Sequence, residues 1–245
     1  MKRIIIFLFL MISVPLFALT DTHTVLWDEY ITLRDSMYNS VTSAEGLLPL
    51  YNEAVASAKK NFSDDTLYIA LSRCEYIMGR AYNYESNKDM AEKYFDAGQE
   101  YAEKALDIKK SATAYLMLGE TISQNCSVKP VSYVLSNGTK VNGFGKNALK
   151  LDPKYGAAKY LLSAQYIYAP APFHNHKKGI KEMESILNDP NNRLEKDDKF
   201  NVMSAIGYGY IERKDTENAT IWLKKSLEIY PTNKYVNGLL ASISK

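Results

Sequence analysis

Residues 203–231 read Met-Ser-Ala-Ile-Gly-Tyr-Gly-Tyr-Ile-Glu-Arg-Lys-Asp-Thr-Glu-Asn-Ala-Thr-Ile-Trp-Leu-Lys-Lys-Ser-Leu-Glu-Ile-Tyr-Pro, and their spacing decides the fold. Met203, Ile206, Gly207 and Tyr210 share one helical face, and Ala219, Leu223 and Ser226 share another. The small residues Gly207 and Ala219 let two helix backbones approach closely. Ile206, Tyr210 and Leu223 fill the seam between them, and Pro231 blocks further helix. Asp215 falls in the short turn between the two helices, so the stretch predicts a helical hairpin.

The same arrangement recurs upstream. Met78-Gly79-x-x-Tyr82 with Ala91-x-x-x-Phe95-x-x-Gly98 is as close a copy, in a unit starting near Asp65 whose second helix runs to about Lys110. Tyr115-x-x-Leu118-Gly119-x-x-Ile122 opens another unit, closed by Ala148 and Leu151-Asp152-Pro153. Leu162-Ser163-x-x-Tyr166 with Gly179-x-x-x-Met183-x-x-Ile186 forms a third, weaker one, with Ser163 in the glycine position and Pro190 displaced by one. This pattern resembles the tetratricopeptide repeat (TPR): in the 203–231 stretch Gly207, Tyr210, Ala219 and Pro231 match it identically and the other four positions in kind. The resemblance implies an all-α, TPR-like array of helical hairpins, an α-solenoid, over residues 63–245. Some ten to twelve helices and no sheet are expected, with Gly79, Gly119 and Gly207 at helix crossings. Taking Gly79, Gly119, Ser163 and Gly207 as equivalent, the intervals are 40, 44 and 44 residues, longer than the usual repeat of about 34. Longer helices and inserted loops must absorb the difference. The residues 123–142, with Pro130 and Asn137-Gly138, are expected to be such an insertion, Pro130 opening a short helix and Asn-Gly making a turn.

Ahead of the repeats, residues 19–62 carry two amphipathic segments. Val25, Leu26, Tyr30, Leu33 and Met37 lie on one face; Leu47, Leu50, Tyr51, Ala54, Val55 and Ala58 lie on another. Ser43 and Gly46 separate them. An N-terminal helical hairpin is expected, covering the exposed end of the array. Residues 1–18 combine Lys2 and Arg3, an apolar run from Ile4 to Ile12 and the small residue Ala18, the composition of a secretory signal peptide. The run is short for a membrane span. An exported, periplasmic or extracytoplasmic soluble protein is expected, without stable membrane insertion after cleavage. Removing Lys2 and Arg3 leaves 28 basic residues against 28 acidic ones, so there is no nucleic-acid footprint. The remaining chain of about 227 residues is long enough for a sizeable core.

In a TPR array one side of each first helix faces the concave groove. The resemblance assigns to that face Arg73, Tyr76, Arg80, Asn83 and Tyr84 in the first repeat, Glu120 and Gln124 in the second, Tyr160 and Tyr168 in the third, and Asn201, Tyr208 and Glu212 in the fourth. Arg73, Tyr76, Arg80 and Tyr84 form one stripe. Guanidinium forks flanked by tyrosines suit a carboxylate, on an organic acid or at a peptide C-terminus. Against this stands a solvated face in which Arg73 and Arg80 pair with Glu75, Glu85 or neighbouring helices.

No catalytic constellation is found: no HExxH, no GxGxxG, no Ser-His-Asp set, and Gly143-Phe-Gly145-Lys146 follows no predicted strand. No enzyme, cofactor or metal is expected. His174-x-His176 lacks a cysteine or fixed carboxylate beside it, and a structural role is favoured. Cys74 and Cys126 fall near opposite ends of neighbouring first helices, about 18 Å apart at 1.5 Å per residue. A disulfide needs Cα atoms within about 7 Å, so both thiols are expected free. Two functions remain. One is a non-catalytic scaffold that binds a protein or peptide in its groove. The other is a component binding a small organic acid, since the layout with its Tyr-Ala-Pro-rich loop at 166–176 is similar to periplasmic TPR proteins associated with TRAP transporters.

Overall fold

The structure, a computed structural model, describes residues 25–244. The signal-peptide reading of residues 1–18 lies outside them. Among the described residues eleven α-helices follow one another: α1 Asp28–Tyr38, α2 Leu48–Asn61, α3 Asp64–Tyr84, α4 Lys88–Ile108, α5 Ala112–Val128, α6 Val131–Leu151, α7 Gly156–Tyr168, α8 His176–Asn188, α9 Lys196–Glu212, α10 Thr216–Leu227 and α11 Lys234–Ile243. Among the described residues the only β pairing is an isolated bridge between Tyr155 and Arg193. No described helix is long and apolar enough to cross a membrane.

Side-chain caps set many of the boundaries. Asn87, Ser111, Asn175, Asp215 and Asn233 each accept the backbone N–H three residues on, opening α4, α5, α8, α10 and α11. Asp215, expected in a turn, is thus the residue that starts the second helix of its hairpin. Consecutive pairs α3/α4, α5/α6, α7/α8 and α9/α10 pack as hairpins, as the repeat spacing predicts. At their crossings the glycines leave no room for a side chain. A Cβ on Gly79 would lie 2.4 Å from the Phe95 ring and one on Gly207 2.6 Å from Leu223, each on the hairpin partner; one on Gly119 would lie 3.3 Å from Phe144 of its partner α6 and 2.6 Å from Leu161 of α7, the next repeat's first helix.

The expected insertion at 123–142 is not a loop. Helix α5 continues to Val128, only Lys129 and Pro130 interrupt the chain, and α6 then runs unbroken for 21 residues. Pro130 serves as the N-cap of this long helix, and Asn137-Gly138 lies inside it without a turn. The extra residues lengthen both helices of the hairpin. Gly143, Gly145 and Lys146 also lie within α6, so they form no phosphate loop.

The N-terminal pair is a hairpin, as expected, but α1 does more than cover the end of the array. It rests on α2 and α3 and also reaches the last repeat. Tyr38, fully buried, stacks on Tyr230 at 4.9 Å and meets Phe200 edge-on at 5.3 Å. Asn233 donates to the Tyr38 carbonyl at 2.6 Å, and Tyr230 donates to Asp35 at 2.8 Å. One continuous hydrophobic cluster therefore includes Tyr30, Leu33 and Tyr38 at one end of the chain and Phe200, Leu223 and Val236 at the other. The two ends of the array meet, and α1 seals the junction.

Candidate functional site

Closure brings α3 against α9 through charge. Arg73, 5% exposed, forks onto Glu195, with Nη1 to Oε1 at 3.1 Å and Nη2 to Oε2 at 2.6 Å. Arg34 of α1 donates to the same carboxylate at 3.2 Å and to Asp197 at 3.1 Å. Asp198 accepts from the Glu195 backbone N–H at 2.8 Å and so helps start α9. Burial, with the neighbouring carboxylates, holds Asp197 and Asp198 above the usual carboxylate range. Arg73 is thus a structural ion-pair residue. Its partner is Glu195, not Glu75 or Glu85.

Arg80, two turns along α3, is surrounded differently. Its Nη1 donates to Tyr38 Oη at 2.7 Å, Asn201 Oδ1 at 3.2 Å and Tyr76 Oη at 3.3 Å, and its Nη2 donates to the Tyr84 hydroxyl. The guanidinium also lies 5.0, 5.7 and 5.3 Å from the ring centres of Tyr38, Tyr76 and Tyr84. Every one of these partners is neutral. Among the described residues no carboxylate pairs with Arg80, although a half-buried charge ordinarily finds a counter-ion.

The space in front of Arg80 is a cavity of about 450 Å³ walled by α3, α5, α7 and α11. Of the residues assigned to the groove from sequence, Tyr76, Arg80, Asn83, Tyr84, Glu120, Gln124, Tyr160 and Tyr168 line it. Three do not. Arg73 is engaged with Glu195, Tyr208 stacks against Tyr168 at 5.5 Å, and Glu212 follows Tyr208 on α9. Asn201 contributes indirectly, by holding Arg80 and Tyr38. The sequence reading missed Ser123, Leu161, Ala164, Ser127 and Tyr235. Ser127 continues the α5 stripe of Glu120 and Gln124, and it would have been found had the helix been carried to Val128. Tyr235, on α11, stacks on Tyr84 at 6.0 Å, and no repeat position points to it.

Glu120 faces Arg80 across the cavity wall it shares with a second void of about 20 Å³, room for one water. Among the described residues no hydrogen bond or ion pair engages it. Burial pushes its carboxyl up to about 8, against the pull of Arg73 and Arg80. This bias toward the neutral carboxyl means that Glu120 does little to balance Arg80's charge.

His174 and His176 stack on each other at 4.4 Å, and the His176 ring lies against the Ile167 carbonyl at 3.2 Å. Among the described residues no three His, Cys, Asp or Glu side chains converge on a point that could hold a metal ion. Cys74 is buried, Cys126 half-buried, and both are free thiols.

No family model and no curated protein sequence matches the chain. Solved structures do. A thermophilic TPR protein of Thermus thermophilus superposes with a TM-score of 0.58 at 16% identity, covering 88% of this chain and 98% of that one. YrrB, described as a TPR protein with an unusual peptide-binding site, aligns with a TM-score of 0.38 at 16% identity, over 86% of this chain and 89% of its own. The fold is that of a TPR helical-repeat array, as the repeat pattern implies.

Proposed function

We propose that this chain is a non-catalytic TPR binding protein that captures a carboxylate in the cavity at Arg80. The observation that carries the reading is a guanidinium held by neutral hydroxyls and an amide, with no acidic partner among the described residues, at the wall of a ligand-sized cavity. A free organic acid and the C-terminal carboxylate of a polypeptide present the same chemistry. The closed array favours the free acid, because it leaves a pocket where an open groove would take an extended peptide. The exposed tyrosines at the mouth, Tyr84, Tyr168 and Tyr235, favour a larger partner that enters by its end. With the leader-like residues 1–18, the first reading is a periplasmic component that hands an organic acid to a transport system of the TRAP-associated kind. The second is an exported protein-binding scaffold.

Calorimetry separates them. The probes are sodium butyrate, pentaalanine with a free C-terminus and pentaalanine amide, each titrated into wild type, Arg80→Ala and Lys224→Ala. The reading predicts binding of butyrate or of the free peptide, none of the amide, and a loss of about 1.5–3 kcal/mol on Arg80→Ala, the scale of a charge-assisted hydrogen bond. Lys224, exposed on α10, is the silent control. Butyrate alone identifies the free-acid arm and the free peptide alone the polypeptide arm. Binding of neither, or equal binding of the amide, removes the proposal.

A further inference from the structure

The Arg80 cavity has a neighbour. A second cavity of about 290 Å³ lies between α5, α6 and α7, and Ser123, Ser127, Leu161, Ala164 and Tyr168 line both. Its far wall is supplied by α6 through Val134, Gly138 and Val141, which share one face, and by Pro170 after α7. Three of the polar side chains along it, Ser127, Asn142 and Gln165, are already engaged. Asn142 donates to Gln165 at 2.9 Å, and Ser127 donates to the Gln124 carbonyl at 2.6 Å. What this arm offers a ligand is apolar surface.

Gly138 is the telling residue. Glycine weakens a helix interior, and nothing packs where its side chain would be: a Cβ there would meet only Val134, at an ordinary 3.7 Å. This contrasts with Gly79, Gly119 and Gly207, whose missing side chains let helices touch. At 138 the missing side chain leaves the arm open.

We propose that the two cavities form one bent site for an amphipathic monocarboxylate, its carboxylate at Arg80 and its unbranched apolar chain in the arm beside Gly138. The proposal rests on the carboxylate reading above and adds the shape and polarity of the rest of the ligand. The site has one charged end, so dicarboxylates and hydroxylated acids, which would bury a second polar group in the arm, are disfavoured.

The test is calorimetric titration of acetate, butyrate, hexanoate, octanoate and succinate into the full chain, wild type, Gly138→Leu and Arg80→Lys. Melting curves establish that each variant folds. Beyond butyrate, affinity for the wild type should rise about fourfold per methylene, the transfer value for a buried CH2, until the arm is full. Gly138→Leu should fill the arm, keep butyrate binding and flatten the series. Arg80→Lys should weaken every acid by a similar factor, because the fork is lost at the shared end. A flat wild-type series, a rising series untouched by Gly138→Leu, or succinate binding as tightly as hexanoate would overturn the arm while leaving Arg80-dependent capture standing. Absence of binding at every length would remove the carboxylate reading and this proposal together. A rise that is the same in Arg80→Lys as in wild type, at undiminished affinity, marks unspecific apolar uptake and overturns both.

Discussion

From its repeat position Arg80 is expected on the groove face, and its removal would leave stability almost unchanged if the side chain faced solvent. In the structure its guanidinium ties Tyr38 of α1, Tyr76 and Tyr84 of α3 and Asn201 of α9 together, so truncation costs stability as well as any binding. Binding and melting must therefore be read side by side in its variants. The glycine positions were legible from sequence, because a small residue at a fixed place in a repeated hairpin has one physical use. Gly207→Leu forces a side chain onto Leu223, fully buried at 2.6–2.7 Å from the new Cβ, and should cost about 1–3 kcal/mol in chemical denaturation. An unchanged midpoint would remove the hairpin contact. Glu120 was named from its repeat position, but its unusual protonation depends on burial that no local pattern reveals. A carboxyl raised from its ordinary 4.5 to about 8 favours the native state below pH 4.5, and this contribution is lost as pH rises through 8. Glu120→Gln removes that loss. Its melting temperature should match wild type near pH 4.5 and exceed it at pH 9, whereas a variant less stable than wild type at pH 9 would show that the ionised carboxylate is an accepted part of the fold.

Among the elements, the repeat hairpins follow from spacing alone, and α5/α6 shows where spacing misleads. Asn137-Gly138 favours a turn when flanking residues permit one. Here Gly138 lies eight residues beyond Pro130, within a helix already started. Extending the helix satisfies the backbone groups around it instead. This yields a clean distinction. Gly138→Ala should stabilise by about 0.5–1 kcal/mol, since the backbone is helical and the Cβ has space. A loss of stability on urea denaturation would indicate the turn that sequence suggests. The lengthened α5 and α6 account for the 44-residue interval from Gly119 to Ser163 and place Ser127 and Gly138 where the cavities need walls, whereas the interval from Ser163 to Gly207 is filled by the connections 169–175 and 189–195 around the short α8.

At the scale of the whole molecule, closure was the least legible feature. It depends on contacts between residues 122 and 195 positions apart, Arg73 with Glu195 and Tyr230 with Asp35, and no periodicity in the chain encodes such pairs. Read locally, α1 is an ordinary amphipathic cover for a repeat end. Only the curvature of the array shows that it fills a junction. Glu195 holds that junction, so Glu195→Ala, which strands Arg34 and Arg73 without their shared carboxylate, should cost about 3–5 kcal/mol and loosen the cavity with it. A stability within about 1 kcal/mol of wild type would show that Asp197 and the Tyr38–Phe200–Tyr230 cluster close the array without it. The central claim, that closure creates a carboxylate site at Arg80, is tested most directly by a crystal structure with 4-bromobenzoate. Such a site requires bromine anomalous density inside the joined cavities and a carboxylate oxygen within about 3.2 Å of the Arg80 guanidinium. Bromine density at any other place on the molecule, with the Arg80 cavity holding only water, would contradict it.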